Sequence, residues 1–140
     1  MKNKAPLALM EQLIMLLVFA LAAALCLRVF ETSSRLSQYC RMRSQGITVA
    51  QNAAEALKDT GGDLETCAAR YGGTWDRNTW ILAFDSDWQP TDSADATFFM
   101  RASLTEDGIP LLGTADILVE KATGEELVGF SVSWQEDANG

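Results

Sequence analysis

The stretch from Pro6 to Phe30, PLALMEQLIMLLVFALAAALCLRVF, limits what this chain can become more than any other. Leu13–Leu27 holds no charged side chain, and extending back to Leu7 gives a run broken only by Glu11 and Gln12. At about 1.5 Å per residue, such a run forms a helix of roughly 31 Å, close to the hydrocarbon thickness of a bilayer. A carboxylate inside it costs on the order of 2–3 kcal/mol unless it is paired or reaches the headgroups. Near a helix N-terminus the same carboxylate gains from the macrodipole and the free amide donors. Glu11 therefore either snorkels from a first turn or pairs with a cation, such as the terminal amine of a neighbouring chain.

Charge divides the chain. Residues 1–43 carry six basic and two acidic side chains, while the remainder carries five basic and seventeen acidic ones, so +4 and -12 make up the net -8. A part that acidic repels phosphate backbones, so no direct nucleic-acid binding is expected from it. The chain has no histidine. That removes the commonest general base, the serine–histidine and cysteine–histidine pairs, and histidine-ligated zinc. With no nucleophile elbow or phosphate loop either, no enzyme activity is expected. Asp76, Asp85 and Glu106 are the imaginable acid set, and nothing in the sequence gathers them into a pocket. Cys26, Cys40 and Cys67 show no CxxC spacing. Cys40 and Cys67 could pair in an oxidising space or stand as two buried free thiols.

Three readings of the apolar run compete. Lys2, Lys4 and the small residues Ala22-Ala23-Ala24 suit a cleaved secretory signal, which would leave an exported soluble binding protein; a lipoprotein version through Cys26 lacks the small residue wanted where Leu25 stands. An ordinary single-pass anchor is the second reading. Basic residues flank both ends, Lys2 and Lys4 before and Arg28, Arg35, Arg41 and Arg43 after, so charge alone does not orient it. The third rests on LMEQLIMLLVFALAAALCLRVF, a glutamate near the start of an apolar helix behind a short basic leader. This resembles the N-terminus of type IV pilins and of type II secretion pseudopilins, and especially the short pilin-like proteins of Gram-positive bacteria. The resemblance covers roughly residues 5–45.

That resemblance implies a structural subunit of a filament, anchored in the bacterial cell membrane before assembly, with a cytoplasmic N-terminus and an extracytoplasmic C-terminal domain. Its implied partners are the membrane, other pilin-like subunits, a prepilin peptidase and an assembly platform. Glu11 would hold the family's glutamate position, and Leu13, Leu16, Leu17 and Ala20 would pack the filament core. The implied cut falls between Pro6 and Leu7, where the family normally has glycine and then phenylalanine. A chain left uncut there would be a single-pass membrane protein accessory to a secretion machine.

Helical spacing continues beyond the apolar run. Leu36, Cys40, Ile47, Ala50, Ala54 and Leu57 trace one stripe, with Gly46 as its weak point. Gly61 suits a C-terminal cap, Asp63 an N-terminal cap, and Asp63–Tyr71 a short helix ended by Gly72-Gly73. The period then changes to two. Trp80, Leu82 and Phe84; Phe98, Met100, Ala102 and Leu104; Ala115, Ile117 and Val119; and Val128, Phe130, Val132 and Trp134 alternate, separated by the turn segments DSDWQPTDSAD, EDGIPLLG and KATGEE. The expected fold is α+β: a long N-terminal helix on an antiparallel meander of about four strands. The expected divisions are a leader over 1–6, an apolar helix over 7–30, an amphipathic continuation over 31–60 and an α+β domain over 61–140, with a frayed tail at EDANG. Asp85, Asp87, Asp92 and Asp95 share one loop, and clustered carboxylates are what calcium requires, although the spacing is not that of an EF-hand. No cofactor is expected. Trp80 and Trp134 read as core, and Trp75 and Trp88 as sheet-end residues.

Overall fold

The computed structural model describes residues 4–136. Lys2 and the tail residues 137–140 lie outside them. The order of elements is α1 (Lys4–Thr60), α2 (Leu64–Tyr71), β1 (Thr74–Asp76), β2 (Thr79–Phe84), β3 (Phe98–Thr105), β4 (Leu112–Lys121) and β5 (Glu126–Gln135). The strands form one antiparallel sheet in the order β1-β2-β3-β4-β5, a meander with β5 at one edge. The chain divides into two compact units, residues 1–40 and 41–140, with the division falling inside α1.

In the first unit α1 begins at Lys4, so Lys4, Ala5 and Pro6 are helical. Pro6 fits there because the amides of a first turn have no intrahelical acceptor. From Leu7 to Phe30 every side chain is exposed. This is one helix long and apolar enough to cross a membrane.

In the second unit the end of α1 packs on the sheet. Its buried residues are Gly46, Ala50, Ala53, Ala54, Ala56 and Leu57. All but Leu57 are small, and the sheet supplies the bulk: Trp80, Met100, Ile117 and Val119 are almost fully buried. Alternation explains the choice, since even residues of β2 and β3 and odd residues of β4 point to the helix side. The stripe differs from expectation at its start. Leu36 and Cys40 are exposed and Ile47 is 38% exposed, while Gly46 is buried. Gly46 is thus a contact rather than a hinge. A Cβ there would lie 3.4 Å from both Val119 Cγ1 and Val128 Cγ2.

The boundaries between α1 and α2 follow the local chemistry. The amide of Gly62 donates to the Leu57 carbonyl at 2.8 Å, and Gly61 and Gly62 adopt φ of 64° and 83°. Asp63 caps α2, accepting from the amides of Glu65 and Thr66 and, at 2.6 Å, from the Thr66 hydroxyl. The Thr66 hydroxyl, and then its amide, hold the Asp63 carboxyl below its ordinary value. Gly72 closes the helix through its amide on Ala68.

Three features of the sheet depart from the sequence reading. There are five strands, because Thr74–Asp76 pairs with Thr79–Ile81 through a tight turn. Arg77 takes φ of 50° in that turn, without the Asn-Gly or Asp-Gly pair that normally announces one. Leu112 and Gly113, expected in a turn, are the first residues of β4. Finally, the register shifts between Val119 and Glu120: Val119 faces Val128 and Glu120 faces Glu126, leaving Leu127 without an opposite. Such a bulge turns the extra side chain, and Leu127 is buried at 4% exposure while Phe130, expected in the core, is 37% exposed.

Candidate functional site

The residues expected to act in assembly all lie on the exposed part of α1. At 100° per residue Leu13, Leu16, Leu17 and Ala20 share one face of the helix, and Glu11 lies roughly 160° from Leu13 around the axis. Glu11 shares its own face with Met15, Val18 and Ala22, at intervals of four, three and four residues. The five assembly residues are therefore two faces and not one patch. Met15, Val18 and Ala22 are the additions that helical geometry makes, and steps of four, three and four from Glu11 find them in the sequence.

Glu11 is also further from the helix end than its position in the apolar run suggests. The first turn described for α1, beginning at Lys4, contains no acidic residue. Glu11 is the eighth residue of α1, more than two turns in, where the amides are engaged in the helix and the dipole effect has faded. Pro6 and Leu7 both lie within the first turn. In a chain beginning at Leu7, Glu11 would move into the first or second turn, beside the free amides. Downstream, Glu31 and Arg35 form an exposed i,i+4 ion pair at 2.6 Å, which contributes a few tenths of a kcal/mol at most.

The aspartate loop is held by its own hydrogen bonds. Asp85 Oδ1 accepts from the amides of Asp87 and Gln89, both at 2.9 Å, and the Asp85 amide donates to the Gln89 carbonyl. Asp95 donates through its amide to the Asp92 carbonyl at 3.1 Å. Asp85, Asp87, Asp92 and Asp95 do not gather: among the described residues no three His, Cys, Asp or Glu side chains converge so as to hold a metal ion. Trp88, in the middle of this loop, takes φ of 59° and stacks on Phe98 with ring centroids 4.1 Å apart. It also lies 6.0 Å from Phe84. The loop is thus folded over the sheet end by an aromatic cluster, a role the sequence reading gave only in part.

The imaginable acid set is dispersed. Asp85 is committed to its turn, Asp76 sits in a shallow depression with Arg77 and Arg101, and Glu106 lines a separate cleft. Arg101 is itself engaged with Glu120 at 2.9 Å.

All three cysteines are free. Cys40 is exposed, so the pair of buried thiols is half realised, in Cys67. Burial pushes the Cys67 thiol above its ordinary range, with the Thr60 hydroxyl 3.1 Å away acting in the opposite sense. Trp80 and Trp134 are core, at 1% and 7% exposure. The Trp80 indole donates to the Gly72 carbonyl at 2.9 Å. Trp75 is 47% exposed, on edge strand β1.

No protein-family model, curated protein or solved structure matches the chain.

Proposed function

We infer that the chain is a pilin-like structural subunit of a type IV pilus-like or type II secretion-like filament, held in the membrane by α1 before assembly. One observation carries this reading: a lone carboxylate, Glu11, set in an exposed apolar helix that an aqueous protein would have to bury. In a bilayer the apolar side chains need no partner, and Glu11 is the one charged group of the run that does. A neighbouring chain supplies one if its terminal amine meets the carboxylate, which neutralises both charges and fixes the axial offset of adjacent helices. Leu13, Leu16, Leu17 and Ala20 then pack on one side, and Met15, Val18 and Ala22 on the other. The domain from residue 41 onward faces the outside and gives the filament its acidic surface.

The position of Glu11 makes the state of the Pro6–Leu7 bond decisive. Mass spectrometry of the N-terminus of the membrane-extracted protein tests the reading. A chain beginning at Leu7, methylated or not, is expected. A chain beginning near Leu25 assigns it instead to exported soluble binding proteins. An intact leader leaves a single-pass membrane protein accessory to a secretion machine, the reading favoured by proline at the implied cut.

A further inference from the structure

One end of the sheet carries a cleft of about 370 Å³, walled by Gly61 and Gly62 after α1, by the segment following β3, and by the ends of β4 and β5. Trp134 lines it, buried at 7% exposure, and its indole Nε1 has no hydrogen-bond partner. Indole can only donate, so what is missing is an acceptor. Buried donors left unpaired are rare, and the other core tryptophan, Trp80, has its acceptor. The ring's position is set by two glycines that also line the cleft. A Cβ on Gly62 or Gly113 would collide with the indole edge, and at Gly113 the colliding atoms include Nε1. The orphan N–H therefore lies beside Gly113, a residue of the cleft wall, and is itself closed to solvent. Thr114, also buried, lines the same cleft, and its hydroxyl oxygen is the second buried polar atom without a partner among the described residues.

Charge narrows the ligand. Glu106, Asp107 and Glu136 line the cleft, and no basic residue does. An anion is repelled by that set. A metal ion is disfavoured, since no three carboxylates among the described residues converge on a point. Leu104, Ile109 and Leu112 add an apolar strip. The volume is at the low end for ligand sites, which run from about 300 to 1,000 Å³. A ligand that answers every feature is small and has a cationic head with several donors, a short apolar stem and a carbonyl oxygen within a few bonds.

We propose that this cleft binds an alkylammonium group with a neighbouring carbonyl, the chemistry of a lysine residue within a peptide. The ammonium meets Glu106, Asp107 and Glu136, the methylene stem lies along Leu104, Ile109 and Leu112, and the carbonyl accepts from Trp134 Nε1. Because Nε1 is closed to solvent, the acceptor reaches it through a small outward rotation of the indole. This inference concerns residues 61–136 alone and stands or falls independently of the filament reading.

The test uses the full chain, ¹⁵N-labelled, in detergent micelles, where four tryptophans give four indole resonances. The probes are Nα-acetyl-lysine methylamide, its glycine counterpart and n-butylamine. The lysine compound is expected to move the Trp134 indole resonance alone and saturably. The glycine compound is expected to leave it in place. Butylamine, which lacks the carbonyl, is expected to bind without moving it. In the variant carrying E106Q and D107N, affinity for the lysine compound is expected to fall roughly ten-fold, the loss of two exposed charge contacts. A shift that never saturates, one shared by all four indoles, an equal response to butylamine, or an unchanged affinity in the double variant overturns the proposal.

Discussion

Gly46 illustrates how one residue type serves two opposite purposes. In an exposed helix it costs about 1 kcal/mol relative to alanine. Here the missing Cβ faces Val119 and Val128 at ordinary contact distance, so a methyl group fits and a larger side chain does not. Gly46→Ala is expected to leave the urea midpoint unchanged or raise stability by up to about 1 kcal/mol. Gly46→Leu is expected to lower it by about 1–3 kcal/mol through overpacking. Cys67 gives a second residue-level outcome. Burial raises its thiol above the ordinary range, so the folded chain keeps a proton that the unfolded chain releases. Its contribution is complete below the ordinary thiol pKa and is lost as pH rises from there toward the higher folded value. Urea midpoints measured from neutral pH upward should therefore decline across the alkaline range. The part of that decline due to Cys67 should vanish in Cys67→Ala, seen as a shallower slope whatever the variant's starting stability.

At the scale of elements, the bulge between Val119 and Glu120 decides which side chains of β5 matter. Simple alternation puts Val128, Phe130, Val132 and Trp134 in the core and Leu127 outside. The extra residue reverses the status of Leu127, while Phe130, opposite Ile117 on edge strand β5, keeps its parity and is 37% exposed. Leu127→Ala is expected to cost about 2–4 kcal/mol and Phe130→Ala less than half as much, measured by urea unfolding of the full chain. Equal costs would mean that the register shift does not hold in solution. The helices, their caps and three of the four core alternations were legible in the sequence because each depends on neighbours in the chain: Asp63 three residues before Thr66, Gly61 after Thr60, Trp80-Leu82-Phe84. What was not legible depends on partners far away. The bulge is a property of two strands together. β1 is three residues joined to β2 by a turn without the usual glycine. The burial of Gly46 in place of Ile47 reflects where the sheet's large side chains leave room. The same distinction holds for the candidate site. The apolar helix and Glu11 can be read from the sequence, whereas the cleft around Trp134 is assembled from four separate segments.

For the molecule as a whole, Glu11 is the residue on which assembly would turn. Glu11→Ala removes the one carboxylate of the apolar run, so membrane insertion should be retained or improved. Fractionation should find the variant in the membrane at normal abundance and absent from any sheared filament fraction. Normal recovery in filaments would remove the role proposed for the carboxylate. The part of α1 that meets the sheet has a different consequence. Its buried residues Gly46, Ala50, Ala53, Ala54 and Ala56 are small, and Leu57 is its one large fully buried side chain. Beyond Leu57, only Met42 and Val49 add larger side chains from α1 to that contact, both partly buried. Tension along α1 would therefore be taken up less by the alanines than by Leu57, with Met42 and Val49 beside it, which makes those three the anchor points of the helix on the sheet.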